Sequence, residues 1–355
     1  MAKVLCPFCL SAMGRKEVLY YCPDCGAVSV PRFLEREPIK CKNGCGGYAS
    51  QRLCPKCKSL LPRELMDEPE IPISIIGEVA SGKTCYMTVM LRELGRMLDL
   101  KLSLSALDRS SQDQQHDRYL QLAEFGHVPE ATPLGQPEPS LWQLRQLVAG
   151  SVRGTALVCY DCSGEHLYAG DPIQPLTISS GILLFVDPLT IPAVRESGVC
   201  TQVELSHHKA FGMRPDLAAL IGQAVSMIHR AMALPISKPI EVPVAVVIGK
   251  LDILLRDDAF LPGSALRQPG TLYTGGRFQE ETLGQIDRDL RDWLRSLGEG
   301  HALSALETGF RKCRLFGVSS LGSTPDEDYR LTNKLRPHRV LDPMLWLLHE
   351  AGVLP

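Results

Sequence analysis

From residue 71 to the end, short apolar runs alternate with longer stretches in which apolar residues recur at helical spacing. The run Ile71-Pro-Ile-Ser-Ile-Ile76 is β-branched and almost unbroken, as a strand covered on both faces requires. Further strands are predicted over 102–107, 141–148, 155–160, 181–186, 242–248 and 313–318. Helical spacing covers 83–98, with Cys85, Met87, Val89, Met90, Leu91, Leu94 and Met97 on its apolar side, and also 111–125, 215–234, 278–297 and 343–351. Alternating buried strands and helices predict an α/β fold with a mostly parallel sheet covered on both faces. In such a sheet, ligands sit at the carboxyl ends of the strands.

Residues 1–68 follow another rule. Eight of the 13 cysteines lie there in four pairs, Cys6/Cys9, Cys22/Cys25, Cys41/Cys45 and Cys54/Cys57. Two thiolates two or three residues apart grip one tetrahedral ion from a single knuckle, and two knuckles complete a four-sulfur zinc shell. Adjacent ribbons (Cys6, Cys9, Cys22, Cys25, then Cys41, Cys45, Cys54, Cys57) and a crossed arrangement both satisfy the spacing. The adjacent one is favoured, because Val18-Leu-Tyr-Tyr21 and Gln51-Arg-Leu53 each resemble the return strand of a hairpin closed on its own metal. Closed shells make such sites structural. The acidic, proline-containing Met66-Asp-Glu-Pro-Glu70 separates this tandem zinc-ribbon domain, 1–68, from a second domain, 69–355.

Composition excludes several classes. The chain is 45% apolar and 22% charged with a formal charge of −2, an ordinary globular balance. Residues 1–68 carry 11 Lys/Arg against 7 Asp/Glu, a formal +4, which two zinc tetrathiolates at −2 each would cancel. No aromatic row accompanies the basic residues, so there is no strong nucleic-acid signal. No apolar run approaches the roughly 20 residues of a membrane span, and none behind Met-Ala-Lys serves as a signal peptide. The expectation is a reducing cytoplasm.

The strand at 71–76 runs into Gly77-Glu78-Val-Ala80-Ser81-Gly82-Lys83-Thr84, with Cys85 opening a helix. This is the spacing of a phosphate cradle, in which backbone N–H groups and the helix dipole meet an anion. Lys83 would reach the β and γ phosphates and Thr84 would hold magnesium. The predicted strand at 155–160 ends in Asp161-Cys-Ser-Gly164-Glu165, suiting a magnesium-side carboxylate and a glycine N–H at the γ phosphate. The predicted strand at 242–248 ends in Gly249-Lys250-Leu-Asp252, where a carboxylate could pair with guanine and the Lys250 stem lie along the base.

In this order the motifs, with Ser319-Ser320 after the predicted strand at 313–318, resemble translation-factor-class GTPases of the P-loop NTPase three-layer type. The chain is most similar to the bacterial double-GTPase family, in its branch with zinc ribbons in front, through Ile76-Gly-Glu-x-x-Ser-Gly-Lys-Thr84, Asp161-x-x-Gly-Glu165, Phe185-Val-Asp187-Pro188 and Arg339-Val-Leu-Asp-Pro343. The resemblance implies a GTP/GDP- and magnesium-dependent switch in bacterial signalling or conflict defence, with a related GTPase or a second copy as partner. It also implies that Thr132 is the switch threonine and that Ser319 and Ser320 contact the base. Gly249 departs from the usual Asn or Thr, and Glu165-His166 stand where small members carry Gln, so intrinsic hydrolysis is expected to be slow. Arg118, Arg153 and Arg195 are candidate internal fingers. An ATPase of similar fold and a non-enzymatic zinc-ribbon adaptor with a structural nucleotide remain as alternatives. His207-His208, lacking a third ligand, is read as solvated surface, and the five scattered cysteines as packed thiols.

Overall fold

The computed structural model describes residues 4–30, 38–97, 102–130, 132–148, 150–169, 173–210, 212, 215–256 and 259–355. The helix predicted over 83–98 therefore ends outside the described residues.

The cysteine-rich part is built from very short strands: β1 (Val4–Leu5), β2 (Ala12–Met13), β3 (Leu19–Tyr21), β4 (Val28–Ser29), β5 (Ile39–Lys40), β6 (Tyr48–Ala49), β7 (Gln51–Leu53) and β8 (Leu60–Leu61). Three of the four knuckles turn back by the same device. The backbone N–H of Leu10, Gly26 and Lys58 donates to the carbonyl of the first cysteine of its pair, at 2.8, 2.9 and 3.0 Å. The residue after the second cysteine is left-handed in all four knuckles, at Leu10, Gly26, Gly46 and Lys58. Two of these are not glycine, and each tolerates roughly 1–2 kcal/mol of backbone strain.

The strands predicted before Cys22 and Cys54 exist, and each closes a hairpin over the knuckle that follows it, β3 with β4 and β7 with β8, but β3 also pairs with β7 (Tyr20 opposite Arg52). That pairing brings the first knuckle to the last. The clusters are Cys6, Cys9, Cys54, Cys57 and Cys22, Cys25, Cys41, Cys45. The arrangement is nested, so the expectation of adjacent ribbons is corrected: strand register decides the partners, and spacing inside a knuckle does not encode it.

A helical turn, α1 (Glu64–Asp67), leads to β9 (Glu70–Gly77) and α2 (Lys83–Leu94). There follow β10 (Leu102–Ala106), α3 (Arg109–Glu124), the hairpin β11 (Pro139–Val148) and β12 (Ser151–Asp161), then α4 (Glu165–Ala169) and β13 (Gly181–Val186). Next come α5 (Pro192–Glu196), α6 (Gln202–Ala210), α7 (Leu217–Ala231), β14 (Val244–Ile248) and α8 (Leu251–Leu254). The chain ends with the small hairpin β15 (Tyr273–Thr274) and β16 (Arg277–Phe278), α9 (Glu280–Ser296), α10 (Gly300–Gly309), β17 (Cys313–Gly317) and α11 (Asp342–Glu350).

Seven strands form one sheet in the order β10-β11-β12-β9-β13-β14-β17. The pairs from β12 to β17 are parallel, and β10 and β11 add an antiparallel edge. The fold is thus mixed α/β with two four-cysteine clusters in front. β13 and β14 are buried along their whole length, which is why both read as uninterrupted apolar runs.

The core continues from the cysteine knuckles into the sheet, with Cys6, Met13, Val18 and Tyr20 in one buried cluster with Ile73, Leu157 and Tyr160. A buried hydrogen bond crosses between the two parts: the hydroxyl of Tyr160 donates to the carbonyl of Pro7, inside the first knuckle, at 2.8 Å. Arg52 donates to the Arg63 carbonyl at 3.2 Å, and Gln143 to the Glu68 carboxylate at 2.6 Å. Gly154 has no room for a Cβ, which would lie 2.1 Å from that carboxylate.

Two predictions follow from this junction. Tyr160→Phe leaves the Pro7 carbonyl buried and unpaired, so it should cost about 1–3 kcal/mol in urea unfolding and hasten capture of knuckle-bound metal by a chelator. Glu70, at the foot of β9, has its carboxyl pushed up to about 7 by burial, and its Oε1 finds no hydrogen-bond partner among the described residues. The folded state holds that proton longer than the unfolded chain does. Its contribution is therefore complete below the ordinary glutamate range and is lost as pH rises through about 7. Glu70→Gln should remove this loss, so urea midpoints at about pH 5 and about pH 8 should differ less in the variant than in the parent.

Candidate functional site

At the carboxyl end of β9 the chain turns sharply into α2. Gly77 has φ 146°, and a Cβ there would lie 2.4 Å from the Phe185 carbonyl of β13. Ala80 and Gly82 are also left-handed, at 55° and 91°. The loop folds over its own lysine: the buried Lys83 ammonium donates to the carbonyls of Gly77 at 3.1 Å and Glu78 at 2.6 Å. Ser81 closes the turn by donating to the Glu78 carbonyl at 2.8 Å. The Glu78 side chain, fully buried, accepts the Thr190 hydroxyl at 2.9 Å on both oxygens.

The residues expected to act together do converge. Asp161, ending β12, accepts the hydroxyls of Thr84 at 2.7 Å and Thr132 at 3.1 Å on Oδ2. Its Oδ1 is buried without a hydrogen-bond partner among the described residues. Gly164 lies so close to the loop that a Cβ would fall 2.3 Å from the Val79 nitrogen. Glu165 is exposed at the start of α4, and His166 Nε2 lies 2.9 Å from the Gly135 carbonyl. Past β14, Lys250 is left-handed at 50° and its ammonium donates to Asp187 Oδ2 at 2.8 Å. Asp252 accepts the Ser319 hydroxyl at 2.6 Å. A Cβ on Gly249 would meet the Ser81 carbonyl at 3.2 Å, a steric reason for glycine there.

Of these, Ala80, Ser81, Gly82, Lys83, Thr84, Thr132, Gly164, Glu165, Gly249, Lys250 and Asp252 line a crevice of about 480 Å³, which also takes in Cys85 and Ser320. Its far wall is supplied by residues that the sequence reading did not single out for the site. Glu204 on α6 is held by Arg256 at 2.8 and 3.0 Å and by the Thr324 hydroxyl. Burial opposes its ionisation, but these donors keep its carboxyl below the ordinary range. His207 stacks on Tyr329 with ring centroids 4.3 Å apart. Burial, and then the nearby Lys250 charge, hold that imidazole below its usual range. His208 is 9% exposed, so the reading of His207-His208 as solvated surface is corrected: α6 turns both rings into the protein. The candidate fingers do not reach the crevice: Arg118 lies on α3, Arg153 is exposed on β12, and Arg195 lines a different cavity.

The cysteine clusters have the geometry of tetrahedral metal sites. Sulfur pairs are 3.7 Å apart for Cys6–Cys57, Cys9–Cys54 and Cys22–Cys45, and 3.4 Å for Cys25–Cys41. A zinc–sulfur bond of about 2.3 Å places tetrahedral ligands roughly 3.8 Å apart. The Cys25 thiol is lowered to about 7, first by the Ala27 backbone and then by Cys41. For Cys9, burial is outweighed by Ser11 and the neighbouring thiols, which bring it to about 6. In the same clusters burial raises Cys6, Cys22 and Cys54, and at Cys45 the lowering by the Gly47 backbone is outweighed by the neighbouring thiols, so Cys9 and Cys25 are the members biased toward the thiolate that ligates.

No helix among the described residues is long and apolar enough to cross a membrane. No family model matches the chain. It is similar to a Mycolicibacterium smegmatis protein named for ESX-1 scaffolding and assembly, SaeC, with 25% identity over 328 residues, covering 85% of this chain and 80% of that protein. This similarity overturns the reading as a double-GTPase family member. The expected GTP hydrolysis, the ATPase alternative, the conflict-defence role and the GTP, GDP and magnesium cofactors are withdrawn with it.

Proposed function

We propose that this chain is a non-enzymatic adaptor that holds other proteins together, with two closed four-cysteine zinc sites stiffening its front part, residues 1–68, against the body, 69–355. The observation that carries the reading is the similarity to a protein named for scaffolding and assembly, which spans most of both chains. The nested clusters support it, since full sulfur shells offer no open ligand position for chemistry. Exposed Val28 and Val30, at and beside the edge strand β4, and Tyr48 on β6 give the front part apolar contact area for a partner. The crevice belongs to the same reading as a seat where a phosphate-bearing ligand is held for its structural effect and is not turned over. Ala80, Ser81, Gly82 and Lys83 form its floor, with the Gly77 and Glu78 carbonyls holding Lys83 from beneath; Thr84, Thr132 and Gly164 form one wall, with Asp161 accepting both hydroxyls from behind, and Lys250, Asp252 and Ser320 the other, with Ser319 donating to Asp252.

The purified chain should carry two zinc ions by elemental analysis, one for each cluster. In the source cell at natural abundance it should migrate in a stoichiometric complex, and Val28→Glu with Val30→Glu should release it without loss of zinc. A chain that migrates alone at its own mass would overturn the adaptor reading. So would nucleoside triphosphate turnover by the pure protein or its complex. For the crevice, inorganic pyrophosphate should raise the thermal midpoint of the parent and leave that of Lys83→Ala unmoved. An equal rise in both would remove the loop from the reading.

A further inference from the structure

A second cavity, of about 470 Å³, opens on the neighbouring face of α6. Two of its walls are cationic. Arg195 donates through Nη1 to the carbonyls of Leu189 and Thr190, which fixes the guanidinium in place and leaves its remaining N–H groups for a ligand. Lys209 is exposed at the rim. Between them stands His208, whose Nδ1 lies 3.9 Å from Asp187 Oδ2, is buried, and has no hydrogen-bond partner among the described residues. Nδ1 therefore faces inward toward Asp187, and Nε2 lies on the cavity side of the ring. The remaining surface is largely apolar, from Pro192, Leu205 and Pro215. Asp216, also on the wall, is committed to the first turn of α7, accepting the Ala219 N–H at 2.7 Å.

A fixed guanidinium, a mobile ammonium and an imidazole nitrogen around a small apolar chamber match an acid with a short hydrocarbon body. We propose that this cavity binds a small organic carboxylate, with the acid group among Arg195, Lys209 and His208 Nε2 and the apolar body against Pro192, Leu205 and Pro215. Behind the His208 ring, 3.9 Å from its Nδ1, lies Asp187 Oδ2, which accepts the Lys250 ammonium at 2.8 Å. Asp187 thereby links the cavity to the crevice. Two sources present this chemistry: a free branched-chain acid, and the C-terminal leucine of a peptide.

The test uses the full chain, uniformly labelled with nitrogen-15, and follows the ring nitrogens of its nine histidines; His208→Gln identifies the His208 signal. 3-Methylbutanoate and N-acetyl-Ala-Leu with a free C-terminus are titrated to on the order of 10 mM, beside the C-terminal amide of the same peptide. At least one acid should shift the His208 signal saturably, and the amide should not. Response to the free acid alone assigns a small-molecule source, and tighter binding of the peptide assigns a chain terminus. Lys209→Gln, at an exposed position, should weaken binding about three- to fivefold. The proposal is overturned if neither acid moves the signal, if the amide moves it equally, or if Lys209→Gln leaves affinity unchanged.

Discussion

The last two residues of β12 hold the molecule together from opposite sides of the sheet. Successive strand side chains point to opposite faces, and Tyr160 and Asp161 use this alternation fully. Tyr160 pins the Pro7 carbonyl of the outer knuckle, while Asp161 gathers the hydroxyls of Thr84 and Thr132 at the crevice. A rotation of this strand end would disturb both. The buried tyrosine hydroxyl also has no alternative donor site in view of water, so its bond to the knuckle is obligatory for close packing of the two parts.

Much of the body was legible because its strands are covered on both faces. Runs such as those in β9, β13 and β14 have to be apolar at nearly every position, and their shortness and β-branched content mark them as strands. The beginning of β12 escaped because Ser151, Val152 and Arg153 project from the hairpin and are exposed. The clustering of Lys83, Asp161, Lys250 and Asp252 was foreseeable, since each follows a parallel strand and such strand ends meet along one edge. Glu204, His207 and Tyr329 were not foreseeable as part of it. They reach the crevice through α6 and a late loop whose places are set by tertiary packing.

Motif order proved a poor guide to identity for a related reason. A glycine turn after a buried strand, with a lysine and a hydroxyl residue opening the helix, also forms bonds inside the scaffold at that point. Here Lys83 closes its own loop and Glu78 ties that loop to Thr190. Both are bonds within the scaffold, and spacing cannot distinguish them from bonds to a ligand. Knuckle pairing misled in the same way, because the long-range match of Tyr20 with Arg52 is invisible in local spacing.

The nested cysteines also fix an order of assembly. The inner cluster is joined by Cys25 and Cys41, 16 residues apart, and the outer by Cys9 and Cys54, 45 apart. Closing the longer loop unaided costs about 0.9 kcal/mol more, but an inner site already clamped shortens the free chain that the outer one must close. During synthesis the inner ligands are complete once Cys45 has emerged, and the outer set waits for Cys57. The knuckle that Tyr160 grasps thus belongs to the part of the front module whose ligand set is completed last.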